Sequence, residues 1–392
     1  LSFGTFDNFD GQQTDLPPFH TMDELGLREL EQLRLILRGD SVVDWRHLNF
    51  SSRSQVDDFL RLHLLEHDDA NDRALMRRLL KEAVDYLRST YHYRIADAVA
   101  EPFEVQDLFL YASGRHPRRP GLYRKIACII LKIVYVIHHM EGRELLARTP
   151  VATQALARTV DDRIMRTLSD MKSRGCPIVE ASGSLKTQHS LITKVIAKRD
   201  TVAAQVYDRV RYRIVTKKRE DVVLVLDYLL RTLFPFTLVV PSQTENSLID
   251  FEKMVAEHDN LRALGPSLQE PIEQARDVAQ TMNPFSGKSF RVLNFVVDMP
   301  VRIDAFLPAD DPRPDRPRTV FNWVEFQMVD EAQAEENERG ENSHDRYKER
   351  QRQKVLTRLS RGLVVPKGLA RLPEMQDWTG DYEEEELEDS EE

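Results

Sequence analysis

Residues 321–328, "FNWVEFQM", alternate as a strand does, with Val324, Phe326 and Met328 on one face and Trp323, Glu325 and Gln327 on the other. An isolated carboxylate buried in mid-strand is costly, so Glu325 calls for a metal, a basic partner or a catalytic cleft beside it. The plainer reading is a strand whose Glu face is wet. "YDRVRYRIV" puts Asp208 at the head of another apolar strand, on one face with Val210, Tyr212 and Ile214. Arg209, Arg211, Arg213 and Val215 take the other face. A carboxylate at a strand end offers the hard oxygen that Mg²⁺ prefers. "KTQHSLITK" spaces Lys186, Ser190 and Lys194 at i, i+4 and i+8, along one helical face. Two ammonium groups and a hydroxyl in a row can hold a polyphosphate; taken alone, they also describe a solvated basic face. "SFRVLNFVV" adds an aromatic, Phe290, beside Arg291 and before Asn294. The charged stretch after the 321–328 strand brings His344, Tyr347 and Lys348. Acids for a cation, bases for phosphate and an aromatic for a ring are the parts of phosphoryl chemistry, which is mostly positioning and charge stabilisation.

Three other motifs carry less. "SGKS" at 286–289 has Met282 where a phosphate loop needs Gly, and it leads into a strand instead of a helix. "HLLEH" would set His63 and His67 one helical turn apart, able to share Zn²⁺ with Glu66 as base, or it is simply a polar helix end. His138 and His139 read as the close of an apolar helix, where they suit its dipole.

The elements that must position these residues change character along the chain. Residues 1–20 have no clear period and read as a flexible arm. From 21 to 150 the pattern is helical throughout, as in "TMDELGLRELEQLRLILRG", with its Thr or Asp start and Gly stop. From 151 to 365 helices and strands interleave: a helix at 152–175 leads through a loop to a short helix from Thr187. Strands then appear in "VYDRVRYRIVT", "SFRVLNFVVDM" and "NWVEFQMV", with the helix "EDVVLVLDYLLRTLF" after the first and a long charged helix at the end. The Pro-rich "LPADDPRPDRPRT" reads as a hairpin loop. Residues 366–392 form an acidic tail expected to be disordered. The fold class is α+β: a helical N-terminal region, then a mixed sheet flanked by helices.

Of the 392 residues, 41% are hydrophobic and 31% charged, enough for a sizeable core. The net charge of −10 is a property of the tail: "DYEEEELEDSEE" holds nine acids and no base, and the remaining 56 acids face 55 bases. No global basic field argues for non-specific nucleic-acid binding. Two cysteines, Cys128 and Cys176, make no disulfide framework, which with the lack of a visible signal peptide points to the cytoplasm. "IACIILKIVYVI" is too short to span a bilayer and contains Lys132, so a buried helix is expected and no membrane partner.

In their order, four of these pieces resemble the synthetase domain of the RelA/SpoT alarmone synthetases, a branch of the nucleotidyltransferase fold. That family carries R-x-K-[ST]-x-x-S-[IL]-x-x-K, then D-x-x-x-x-R-[IV]-[IV], a Y-Q-S-L-H strand, [VE]-E-[IVF]-Q-[IM]-R and E-x-G-x-x-x-H-x-x-Y-K. Here "KTQHSLITK", "DRVRYRIV", "VEFQM" and "ENERGENSHDRYK" follow one another, the last with Glu338, Gly340, His344, Tyr347 and Lys348 at the family spacing. The resemblance spans about 151–353. It implies Mg²⁺-dependent transfer of the β,γ-pyrophosphoryl group of ATP to the ribose 3′-hydroxyl of GDP or GTP. Asp208 and Glu325 would hold the metal and carry catalysis. Lys186, Ser190, Lys194 and Arg213 would take the ATP phosphates, and Phe290, Asn294, Gln327, His344, Tyr347 and Lys348 the acceptor. The departures are specific. Ser184 stands where the family has an Arg that stacks on adenine, and Phe290 where a Tyr stacks on guanine. Arg291 replaces a Gln, Asn294 a His and Val329 an Arg. The D-Y-I-x-x-P-K segment has no counterpart between Pro241 and Ser286. Three alternatives stay open: a tRNA 3′-end pyrophosphokinase, for which alone nucleic acid is a partner; an inactive nucleotide-binding regulator; and a metallohydrolase built on "HLLEH".

Overall fold

The computed structural model describes residues 17–39, 48–116, 120–150, 153–185, 188–197, 210–241, 243–268, 290–307, 315–339 and 344–359. Among these residues seven α-helices come first: α1 (Leu27–Arg38), α2 (Arg53–Leu62), α3 (Ala70–Tyr91), α4 (Asp97–Ala100), α5 (Val105–Ala112), α6 (Pro120–Arg148) and α7 (Thr153–Ser173). Their ends follow from local chemistry. Gly39, at φ +68°, stops α1 in the left-handed conformation that glycine adopts freely, and its N–H returns to the carbonyls of Leu35 and Ile36. Asp69 caps α3 by accepting from the backbone N–H groups of Asn71 and Asp72.

After α7 the chain alternates: β1 (Ile178–Leu185), α8 (Gln188–Ala197), β2 (Val210–Thr216), α9 (Arg219–Thr232), β3 (Glu245–Asn246), α10 (Phe251–Glu257), α11 (Asp259–Leu264), β4 (Leu293–Arg302), β5 (Thr319–Asp330), α12 (Glu331–Asn337) and α13 (His344–Leu359). The sheet order is β1-β2-β5-β4-β3. β2 runs parallel to β5, and every other pair is antiparallel. The fold is therefore α+β, a mixed five-stranded sheet flanked by helices.

The sheet has two unlike faces. Tyr212 and Ile214 of β2, Phe326 and Met328 of β5, and Phe295 and Val297 of β4 are fully buried on one of them. The rings of Phe295 and Phe326 stack at 5.5 Å, and Phe234, just past α9, lies 5.2 Å from Phe326. From α7, Asp161 accepts a 2.5 Å hydrogen bond from the Tyr212 hydroxyl, and burial raises its pKa. The opposite face carries Ser182 and Ser184 of β1, Arg211 and Arg213 of β2, Glu325 and Gln327 of β5, and Asn294 of β4.

One cluster of buried side chains runs from Leu30, Leu33 and Ile36 of α1 through Leu75 and Leu79 of α3 to the sheet. Polar contacts tie the same regions together. Arg302 at the end of β4 donates to Asp72 at 2.8 Å and to the Leu64 carbonyl at 3.1 Å. Asn246 of β3 donates to the Leu37 carbonyl at 3.0 Å. His20 sits 3.0 Å from Asp227, and the Pro18 carbonyl accepts from Arg231. Residues 17–20, read from sequence as part of a loose arm, are thus docked on α9.

Several sequence expectations change. The loop expected after α7 is largely strand β1. The single charged helix expected after β5 is two, α12 and α13, because Glu338 and Arg339 leave the helical path; 340–343 lie outside the described residues. α6 does not close at the two histidines but runs to Arg148, because the apolar period continues through Leu145 and Leu146. Among the described residues no helix is long and apolar enough to cross a membrane. The arm to residue 16, most of the Pro-rich loop, "SGKS" and the acidic tail fall outside the described residues.

Candidate functional site

Register builds the site row by row across the polar face. Ser184 pairs with Arg211, Arg211 with Glu325, and Glu325 with Val296. In the next row Ser182 pairs with Arg213, Arg213 with Gln327, and Gln327 with Asn294. Because side chains alternate with a period of two, both rows face the same way. Helices bound the face at its two ends. At the C-terminal end of β2 and β5, Ala334 of α12 packs on Val215 and Val329. At the other end α6 crosses β5. The His139 ring stacks on Phe321 at 3.9 Å, and the Arg143 guanidinium sits 5.0 Å from the centre of the Trp323 ring. Six residues separate Trp323 from Val329, about 20 Å of strand. The result is a trough with a polar floor.

Glu325 lies in the floor at 5% exposure. Arg211 Nε donates to its Oε2 at 2.8 Å, and Arg211 Nη2 to its Oε1 at 3.3 Å. Asn294 Nδ2 donates to Oε1 at 2.8 Å. The cost of burying this carboxylate is thus offset by a guanidinium on one side and an amide on the other. Arg213, in the next row, donates to Glu338 at 3.0 Å, just past α12. Arg211 and Arg213 keep 32% and 30% of their side-chain surface exposed, so both line the trough.

The structure therefore brings Glu325, Arg213, Gln327 and Asn294 together on one face. Asn294, assigned from the resemblance to the acceptor, is spent in part on Glu325. Phe290 precedes β4 at the α12 end, where Asn337 brackets its neighbour: Asn337 Oδ1 accepts from the Arg291 N–H at 3.1 Å, and Asn337 Nδ2 donates to the Arg291 carbonyl at 2.7 Å. Ser190 is exposed on α8 and Lys348 on α13, and these two helices pack against each other. Lys186 and Asp208 fall outside the described residues, as do the side chains of Lys194, His344 and Tyr347.

"HLLEH" is not a metal site of the expected form. α2 ends at Leu62, and Leu64 turns at φ +59°, so the two histidines are not on one helix. His63 is buried between the Phe59 carbonyl at 3.0 Å and the Thr237 hydroxyl at 3.1 Å, and burial pushes its pKa down to about 4. Among the described residues no group of three or more His, Cys, Asp or Glu is placed to hold a metal.

Sequence reasoning missed three groups beside the site. Arg211 was visible on the polar strand face, but its partner depends on β2 lying next to β5 in parallel, which no local pattern encodes. Arg143 reaches the trough from α6, more than 170 residues before Glu325 in the chain. Asp298 pairs in register with Trp323 under α6, where burial raises its pKa to about 7 against the pull of Arg143. His139 Nε2 is 3.7 Å from Asp298, and burial lowers the His139 pKa to about 2.

No protein-family model and no curated protein matches the chain. Among solved structures, it is similar to small alarmone synthetase 2 from Bacillus subtilis, with 16% identity over 55% of this chain and 81% of that one, at a TM-score of 0.27. It is also similar to small alarmone synthetase 1 from Bacillus subtilis, with 12% identity over 57% of this chain and 90% of that one, at a TM-score of 0.26. The latter enzyme bound to its product pppGpp matches with 16% identity over 49% of this chain and 78% of that one, at a TM-score of 0.26.

Proposed function

We propose that the trough is the active site of a pyrophosphokinase that moves the β,γ-pyrophosphoryl group of ATP to the 3′-hydroxyl of a guanine nucleotide. One observation carries this reading. The carboxylate that the motif order assigns to catalysis, Glu325, lies in the floor of a polar trough, in register beside Arg211 and one row from Arg213.

The chemistry follows from these groups. The 3′-oxygen attacks the β-phosphorus, the bond between that phosphorus and the α–β bridging oxygen breaks, and AMP leaves. Glu325 accepts the hydroxyl proton, which requires it to be within hydrogen-bond reach of the nucleophile. Arg213, with Lys186 and Lys194, neutralises phosphate oxygens through charge-assisted hydrogen bonds. Gln327, between Arg213 and Asn294, orients the acceptor, and the resemblance adds His344, Tyr347 and Lys348 to that task. The donor set fits Mg²⁺ in kind: carboxylate and amide oxygens are hard ligands, and Mg²⁺ commonly takes one or two carboxylates plus substrate phosphates. Glu325 and Asp208 would hold the ion, which supplies positive charge against the polyphosphate. The test is incubation with ATP labelled at the γ-phosphate and GDP, GTP, ADP or a tRNA. The reading expects label in GDP or GTP products together with AMP. Label in tRNA alone would move the reaction to the tRNA alternative.

A second reading, an inactive nucleotide-binding regulator, has one observation in its favour. Both Glu325 oxygens are already engaged, by Arg211 and Asn294. Nucleotide binding without transfer to any acceptor would establish it.

A further inference from the structure

At the α6 end the trough closes on a pair that the transfer chemistry does not use. Trp323 lies on the same face as Glu325, two residues away, and is partly exposed. Arg143 is exposed on α6, with its guanidinium 5.0 Å from the centre of the Trp323 ring. Among the described residues no carboxylate lies within ion-pair distance of Arg143. Its guanidinium lies over an aromatic face, close enough to Asp298 to act on that carboxyl, and the side chain is exposed at the rim. Tryptophan is the strongest aromatic partner for a cation, and a guanidinium plane stacks on rings as readily on its second side as on its first. The polar floor begins one register step away, at Arg211 and Glu325. From Trp323 to the Arg213 row is four residues, about 13 Å of strand. That is the span of an extended nucleoside triphosphate, with a flat ring at one end and anionic oxygens at the other.

We propose that Trp323 and Arg143 form the base-binding shelf of the trough, stacking the purine ring of a nucleoside triphosphate whose phosphates lie on Arg211 and Arg213. This rests on the reading of the trough as a nucleotide site. It gives the helical N-terminal region a direct part in substrate binding, because α6 supplies half of the shelf. Stacking is tolerant of the base, since every purine has a π-face. ATP and GTP therefore both fit the shelf, and any selection between them comes from groups elsewhere. Phe290, at the opposite end by α12, remains available for a second base.

The test is calorimetric titration of the full chain with ATP, GTP and inorganic tripolyphosphate, which has the phosphates without the base. Wild-type protein should bind both nucleotides at least about tenfold more tightly than tripolyphosphate. Arg143→Gln, on an exposed helix surface, and Trp323→Leu should each lose most of that preference while binding tripolyphosphate as before. Trp323→Phe should restore much of it. A structural role alone would weaken all three ligands together. Arg143→Gln and Trp323→Leu proteins that keep the full nucleotide preference would overturn the shelf and leave the phosphate trough standing. Wild-type protein that binds neither nucleotide nor tripolyphosphate would overturn the nucleotide reading, and the shelf with it.

Discussion

Gly142 is where the helical region meets the sheet most closely, and its substitution tests how firmly α6 sits on the site. A Cβ built at Gly142 would lie 2.7 Å from Phe321 Cε2, 2.8 Å from Phe321 Cδ2 and 3.0 Å from the Thr319 carbonyl oxygen. None of these atoms can retreat easily. Phe321 is 7% exposed, stacked on His139 with planes 14° apart, and met edge-on by His138 at 5.4 Å. Thr319 O is backbone within the β4–β5 ladder. Overpacking of this kind costs about 1–3 kcal/mol. Alanine recovers about 0.5–1 kcal/mol in a helix interior, so Gly142→Ala should destabilise by about 1–2 kcal/mol net. The same shift would lift Arg143 away from Trp323, so nucleotide binding should weaken as well. Urea unfolding should show a lower midpoint with an unchanged slope. Gly121→Ala, where nothing lies within 4 Å of the added carbon, should leave the midpoint unchanged or slightly raised. An unchanged or raised midpoint for Gly142→Ala would refute the tight seam between α6 and β5.

Four further outcomes are expected. Asp298 has a pKa raised to about 7, so between about pH 4 and 7 the folded state keeps a proton the unfolded chain has lost, and stability falls as pH rises through that window. At 1.36 kcal/mol per unit the span is at most ~4 kcal/mol, and Asp298→Asn should remove it; an identical urea midpoint-versus-pH profile in the variant would contradict this. His139 works in the opposite sense: held neutral with a pKa lowered to about 2, it costs stability as pH falls below its ordinary value of 6.5, so Asp298→Asn should show the acid-side loss more plainly. Arg211→Leu leaves the buried Glu325 without its guanidinium partner and should destabilise by ~3 kcal/mol, with much of the loss recovered in the Arg211→Leu/Glu325→Leu pair; additive single and double effects in denaturation would show that the pair is not coupled. Residues 153–392 expressed alone should lack a cooperative unfolding transition, because α1, α3 and α6 share the core of the sheet; a sharp transition in the fragment would show that the segment folds by itself.

Alternation made β2, β4 and β5 legible in sequence, because Tyr212/Ile214 and Phe326/Met328 mark one buried face and leave the arginines and Glu325 on the other. β1 was not legible. "IVEASGSL" has few large apolar residues, and it is a strand because Ala181 and Gly183 are small enough to pass under the helices, with a Cβ on Gly183 meeting the Tyr212 ring at 2.8 Å. The helix stop at Leu62 was also hidden, since His63 turns inward to a hydroxyl 174 residues away. Motif order pointed to Glu325 and to Arg213. The guanidinium at Glu325, the α6 wall and the Trp323–Arg143 shelf come from the contact of distant segments, and no local period reports them.

Glu325 in the trough floor is proposed to carry pyrophosphoryl transfer. This is tested most directly by following γ-labelled ATP with GDP or GTP, for wild-type protein and for Glu325→Gln, separating nucleotides by chromatography. Wild-type protein should place the label in the guanine nucleotide and release AMP in equal amount. Glu325→Gln, nearly isosteric and still able to meet Asn294, should fold and lose about a hundredfold or more in rate, ~3 kcal/mol of transition-state stabilisation. Turnover near wild type in Glu325→Gln, or label appearing only as inorganic phosphate, would contradict it.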